Sequence, residues 1–143
     1  MDRRSFVQLG ITAGAAALIA PKTLFAGGSP LNTKLAGGVY YTREAEGRWR
    51  NKAGSHAPNI EKVSSTGGET TIKVTTEHGM KGFNHYIVKH TLLDKNFKVI
   101  AEKVFDPTKE KAVSTHVVGN YTGPLYAISL CNLHDAWVDA ITV

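Results

Sequence analysis

The feature that most constrains this chain is the spacing of its apolar residues, which beyond residue 38 recur at every second position in short runs. Ile72 and Val74 share one face of 70–76. In 86–93, Ile87, Thr91 and Leu93 lie opposite Tyr86, Val88 and Leu92. A period of two belongs to a half-buried strand, not to a helix. Further runs fall at 39–42, 97–105, 112–118, 125–130 and 137–143. Thr66-Gly67-Gly68-Glu69, Asp94-Lys95-Asn96, Asp106-Pro107 and Gly123-Pro124 separate them, residue types that supply positive φ or fix φ in turns. About seven short strands at this spacing predict an all-β fold, an immunoglobulin-like antiparallel β-sandwich, because each strand has one face to bury and a second sheet buries it.

The first 26 residues differ in kind. Arg3 and Arg4 are followed by Phe6, a weakly apolar run from Ile11 to Ala20, and a small residue at Ala26. The pattern resembles a twin-arginine export signal, which predicts a periplasmic or otherwise exported protein. The run is shorter than the roughly 20 residues a membrane span requires, so no stable span is expected in the mature form. The chain then divides into a signal at 1–26 and one domain at 27–143. Removing Arg3, Arg4, Lys22 and Asp2 takes the formal charge from +5 to about +3. That charge is scattered, without the basic stripe of a nucleic-acid binder, and no nucleic-acid partner is expected. A mild attraction for small anions survives.

Cysteine usage narrows the chemistry. One thiol, Cys131, forms no internal disulfide and no four-cysteine zinc or iron site. A free thiol in an oxidising compartment calls for burial or a metal bond. Four of the six histidines lie beside turn signals: His56, His78, His85 and His134. Cys131 and His134 are three apart, a spacing with which a tight turn presents a thiolate and an imidazole to one ion, although a buried Cys beside a surface His satisfies it equally well. His90 and His116 fall inside expected strands and read as structural or surface histidines.

Four short motifs, in order, resemble the superoxide reductases, also called neelaredoxins, and the iron-centre domain of desulfoferrodoxins. They are His56-Ala57-Pro58-Asn59-Ile60-Glu61, Glu77-His78-Gly79-Met80, His85-Tyr86-Ile87, and Cys131-Asn132-Leu133-His134 with Trp137 three residues on. The resemblance covers about residues 52–138. It implies one mononuclear iron per chain (Fe2+/Fe3+), held by His56, His78, His85 and His134 with the Cys131 thiolate on the axis and a sixth position open. It also implies reduction of superoxide to hydrogen peroxide, re-reduction by an external donor such as a rubredoxin-like or cytochrome protein, and a homo-oligomer. The N–H groups of Leu133 and His134 are expected to hydrogen-bond the sulfur. Trp137 and Tyr86 either shield the centre or simply pack.

The match has departures. The family's Glu-Lys before the first ligand is Gly54-Ser55 here, so the cation and proton route fall to Lys52, Lys81 or a hydrated Ser55. Six residues separate His78 from His85, one more than usual, and Gly82 is the residue able to absorb the insertion. Gly79 stands where proline is common, and Asp135 where glycine follows the last ligand. Competing readings are an iron-binding relative with a sensing or other redox role, a non-enzymatic immunoglobulin-like module, and a cupredoxin. A cupredoxin wants two His, one Cys and commonly a Met after the last His, and no methionine follows His134.

Overall fold

The computed structural model describes residue 31 and residues 33–143; the export segment expected at 1–26 lies outside the described residues. Alternation becomes seven strands: β1 (Asn59–Thr66), β2 (Glu69–Thr75), β3 (Ile87–Leu93), β4 (Val99–Val104), β5 (Val113–Val117), β6 (Pro124–Cys131) and β7 (Asp135–Thr142). They form a three-stranded sheet, β1-β2-β5, and a four-stranded sheet, β4-β3-β6-β7. Every pairing is antiparallel. The chain is an all-β sandwich, as its periodicity predicts.

Local chemistry explains the elements. Gly67 and Gly68 both hold positive φ, +62° and +79°, which a two-residue hairpin turn between Thr66 and Glu69 demands. After β3, the Asp94 carboxylate accepts the N–H groups of Asn96 and Lys98 and closes the next turn. Ile60, Ile72 and Val74 from one sheet meet Leu92, Leu125 and Ala127 from the other, and this cluster is the main core. Each such side chain, fully buried, contributes about 1.5–3 kcal/mol.

The structure corrects two expected elements. Residues 39–42 form no strand: Tyr41 makes one rung against β7, donating its N–H to the Ala136 carbonyl and accepting from Val138. In its place β1 completes the seven. It escaped the period-two test because Ile60 alone among its residues is buried and the rest of this edge strand faces solvent. The run expected from residue 97 also starts late, since Phe97 sits at φ +62° inside the turn. Among the described residues no helix is long and apolar enough to cross a membrane.

The pairings set one end of the sandwich apart. Asn59 faces Thr75, Ile87 faces Cys131 and Cys131 faces Asp135. The start of β1, the end of β2, the start of β3 and the β6–β7 turn therefore share an end.

Candidate metal centre

That end collects the donor residues from three segments far apart in sequence. A single helical turn, α1 (Ala53–His56), delivers His56; the β2–β3 connection carries His78 and His85; the β6–β7 turn carries Cys131 and His134. Glu46 holds α1 in place, its carboxylate accepting the N–H groups of Lys52 and Ala53 at 3.0 and 3.2 Å. Gly82 holds φ +124° between His78 and His85, a conformation side-chain-bearing residues avoid.

The donor atoms of His56, His78, His85 and Cys131 all lie within 4.8 Å of one another. His134 belongs with them: its Nδ1 is 3.0 Å from His56 Nε2, 3.0 Å from His85 Nε2 and 3.6 Å from Cys131 Sγ. His85 Nε2 is in turn 3.0 Å from His78 Nε2. Around this ring the His56 and His85 planes are nearly parallel at 28°, whereas His56 meets both His78 and His134 nearly edge on.

Proton assignment tests whether a cation fits. His56 Nδ1 lies 3.1 Å from the Lys52 carbonyl and His78 Nδ1 2.7 Å from the Gly79 carbonyl. A carbonyl only accepts, so a neutral ring that hydrogen-bonds one through Nδ1 carries its proton there and leaves Nε2 bare. For hydrogen bonds to explain the other contacts, His134 Nδ1 must donate to His56 and His85 Nε2 must donate to His78. Those two N–H groups would then face each other across 3.0 Å. With neutral rings and both Nδ1 atoms protonated, no arrangement of protons satisfies all three contacts. A cation among four bare nitrogens does, and nitrogens 3.0 Å apart along a square lie about 2.1 Å from its centre, a metal–imidazole bond length.

Electrostatics favours the same state. Burial pushes the His56 imidazole down to about 4, with His78 adding to the shift, and burial likewise lowers His78 and His134. These rings are neutral at pH 7, as ligands must be. Burial pushes the Cys131 thiol up, while the N–H groups of Leu133 and His134 oppose it by hydrogen-bonding the sulfur. Cys131 is 2% exposed and packs with Ile87, Phe105 and Ala112, against which Met80 also lies. Trp137 is fully buried, donates from Nε1 to the His134 carbonyl at 2.9 Å and stands beside His56, so it packs and walls the cluster together. The Tyr86 ring instead meets Phe83.

Away from the sulfur, Lys52, Ser55, His56, His78, Gly79, Lys81 and His85 line an open depression of about 460 Å³. All three residues expected to substitute for the family lysine therefore border it. Lys52 is half-buried, and its charge helps hold down the His78 and His134 rings, so its field reaches the cluster. Ser55 Oγ is engaged, 2.8 Å from His56 Nδ1 and donating to the Lys52 carbonyl.

Sequence reasoning passed over Arg48, Trp49 and Glu46. Trp49 meets the His134 ring edge on at 4.6 Å, and its indole N–H donates to Asp135, which also binds Arg48. The available sign was Asp135, an acid where the resemblance leads one to expect glycine; its φ of +62° is one that glycine adopts freely.

Residues 47–140 match the family model described as Desulfoferrodoxin. Among solved structures, the chain is similar to the superoxide reductase (neelaredoxin) from Ignicoccus hospitalis, with 26% identity over 73% of this chain and 94% of that one and a TM-score of 0.61. It is also similar to the superoxide reductase (neelaredoxin) from Archaeoglobus fulgidus in the reduced form, with 23% identity over 73% and 97% and a TM-score of 0.59. The superoxide reductase from Nanoarchaeum equitans shares 22% over 62% and 93%, with a TM-score of 0.54. The last two likenesses concern the fold alone. No curated protein matches the chain.

Proposed function

Because the chain belongs to the desulfoferrodoxin family and is an oxidoreductase of that kind, we propose that it is a superoxide reductase, converting superoxide to hydrogen peroxide at one mononuclear iron per chain. The observation that carries this reading is the convergence of ring nitrogens of His56, His78, His85 and His134, 3.0 Å apart along three successive contacts, with a buried thiol beside them. Iron bound there supplies one electron to superoxide, which with two protons leaves as hydrogen peroxide.

The chain's own residues do the rest. The Lys52 and Gly79 carbonyls fix the tautomers of His56 and His78 and aim bare Nε2 atoms inward. Cys131 would hold the metal as a thiolate and donate electron density to it, and the Leu133 and His134 N–H groups would temper that donation. Lys52 and Lys81 draw a small anion into the depression and offer protons there, and Ser55 holds the Lys52 carbonyl and His56 together. An external one-electron donor, a rubredoxin-like or cytochrome protein, restores the reduced state. The segment at 1–26 sends the protein out of the cytoplasm by the twin-arginine route, and the domain works as a homo-oligomer. A cupredoxin site is disfavoured by four converging imidazoles and by Met80, whose sulfur accepts the Ile87 N–H.

The test is pulse radiolysis of reduced, iron-loaded protein, with fast oxidation by superoxide expected. An iron protein that superoxide leaves reduced is something else.

A further inference from the structure

We propose that Asp135 is a positioning residue that fixes the His134 imidazole by latching the Trp49 indole against it. The proposal rests on the metal-centre reading above.

The cluster's rings are not held alike. His56 and His78 are locked at Nδ1 by the Lys52 and Gly79 carbonyls. His134 faces the cluster through Nδ1, and among the described residues no protein group hydrogen-bonds its Nε2. Its main chain is fixed by Trp137, but that bond leaves the ring free to turn about its side-chain torsions. What meets the ring is Trp49, edge on, with centroids 4.6 Å apart and planes at 90°.

Trp49 is in turn held by Asp135, 86 residues away. Asp135 Oδ2 accepts the indole N–H at 2.9 Å and an Arg48 N–H at 2.5 Å, and the Arg48 guanidinium lies 4.8 Å from the Trp49 ring centroid. Two contacts, the Asp135 hydrogen bond and the Arg48 cation, thus act on one indole whose ring also meets a ligand.

Backbone cost argues that the carboxylate has a task. Asp135 sits at φ +62°, which glycine adopts freely and a residue with a Cβ adopts only at a cost, smaller for Asp and Asn than for the rest. The ion pair offers little stability in return, since its side chains are 66% and 40% exposed and such pairs contribute about 0–1 kcal/mol. A latch weak in stability but exact in placement acts on the orientation of His134.

The experiment uses the full chain loaded with ferrous iron under anaerobic conditions and titrated with a chelator, followed by oxidation and electron paramagnetic resonance of the ferric state. Asp135→Gly relieves the backbone, so it should fold with unchanged or raised thermal stability, yet hold iron about 10-fold more weakly, the scale for a lost outer partner. Its ferric spectrum should broaden and shift. Trp49→Phe should reproduce both effects, and the double variant should be no worse than either single one. Asp135→Asn, whose amide oxygen still accepts the indole N–H, should stay within about twofold of the parent. Parent-like iron affinity and spectrum in Asp135→Gly overturn the latch, as does an Asp135→Asn variant equally damaged. A parent protein that retains no iron overturns the metal-centre reading itself.

Discussion

His90 and the four histidines at the sandwich end are all packed among polar groups, but only one of the two settings accommodates its protons. His116 Nε2 donates to Ser114 Oγ at 3.0 Å, Ser114 donates to His90 Nδ1 at 2.9 Å, His90 Nε2 donates to Thr76 Oγ1 at 2.9 Å, and Thr76 donates to Ser129 at 2.9 Å. Each nitrogen finds a hydroxyl that can play the opposite role. At the metal centre nitrogen faces nitrogen, and with His56 and His78 protonated at Nδ1 no assignment closes. A buried histidine surrounded by hydroxyls is a satisfied core residue; bare nitrogens crowded together are ligands waiting on a cation. Burial lowers His56 and His90 alike, so neutrality alone does not separate the two settings.

Removing a donor breaks the comparison most severely. His85→Ala should lower iron affinity beyond the roughly 10–100-fold typical of an outer-partner change. Cys131→Ser should abolish the visible thiolate-to-iron band of the oxidised protein. Metal analysis and absorption spectra check both, and His90→Gln should leave iron content at the parental value. An iron-poor His90→Gln protein would erase the distinction between the two settings.

The opposite substitution should cost stability instead. His90→Ala leaves a cavity and strips partners from Ser114 and Thr76, for a loss of about 3 kcal/mol in denaturant unfolding.

A pH titration sharpens the same contrast. Burial, with His116 adding to it, holds His90 down to about 4, against 6.5 in the unfolded chain. Between those values the unfolded state binds the extra proton. Stability should therefore fall as pH drops from 6.5 towards 4, by about 1.4 kcal/mol per unit from this residue. The stability difference between parent and His90→Gln, followed across that range, isolates the slope; parallel curves would mean His90 is protonated in the fold.

The smallest effect belongs to the rim of the depression. Replacing Lys52 and Lys81 together by Ala should slow oxidation by superoxide about threefold and flatten its ionic-strength dependence, because steering of an anion depends on local positive charge. Stopped-flow rates at low and high salt measure it.

Much of the fold was legible because strand and turn signals are local. Ile72 and Val74 alternate towards the core, and Gly67-Gly68 marks its hairpin. β1 has little apolar alternation because it lies at an edge, and residues 39–42 have the alternation but find a single rung on β7. At the site, the donor residues were legible through short motifs in order. Arg48 and Trp49 were not, since nothing near them in the chain foretells a carboxylate at residue 135.

By itself, then, the sequence determined the all-β class, the turns and the inventory of imidazoles and thiol, since each follows from residue type and near-neighbour spacing. Only the tertiary structure decided which nitrogens face one another, which tautomers two backbone carbonyls impose, and why an acid occupies a left-handed position beside the last ligand. Those outcomes depend on hydrogen-bond directions and ring planes between segments tens of residues apart, which register and packing set and no local pattern records.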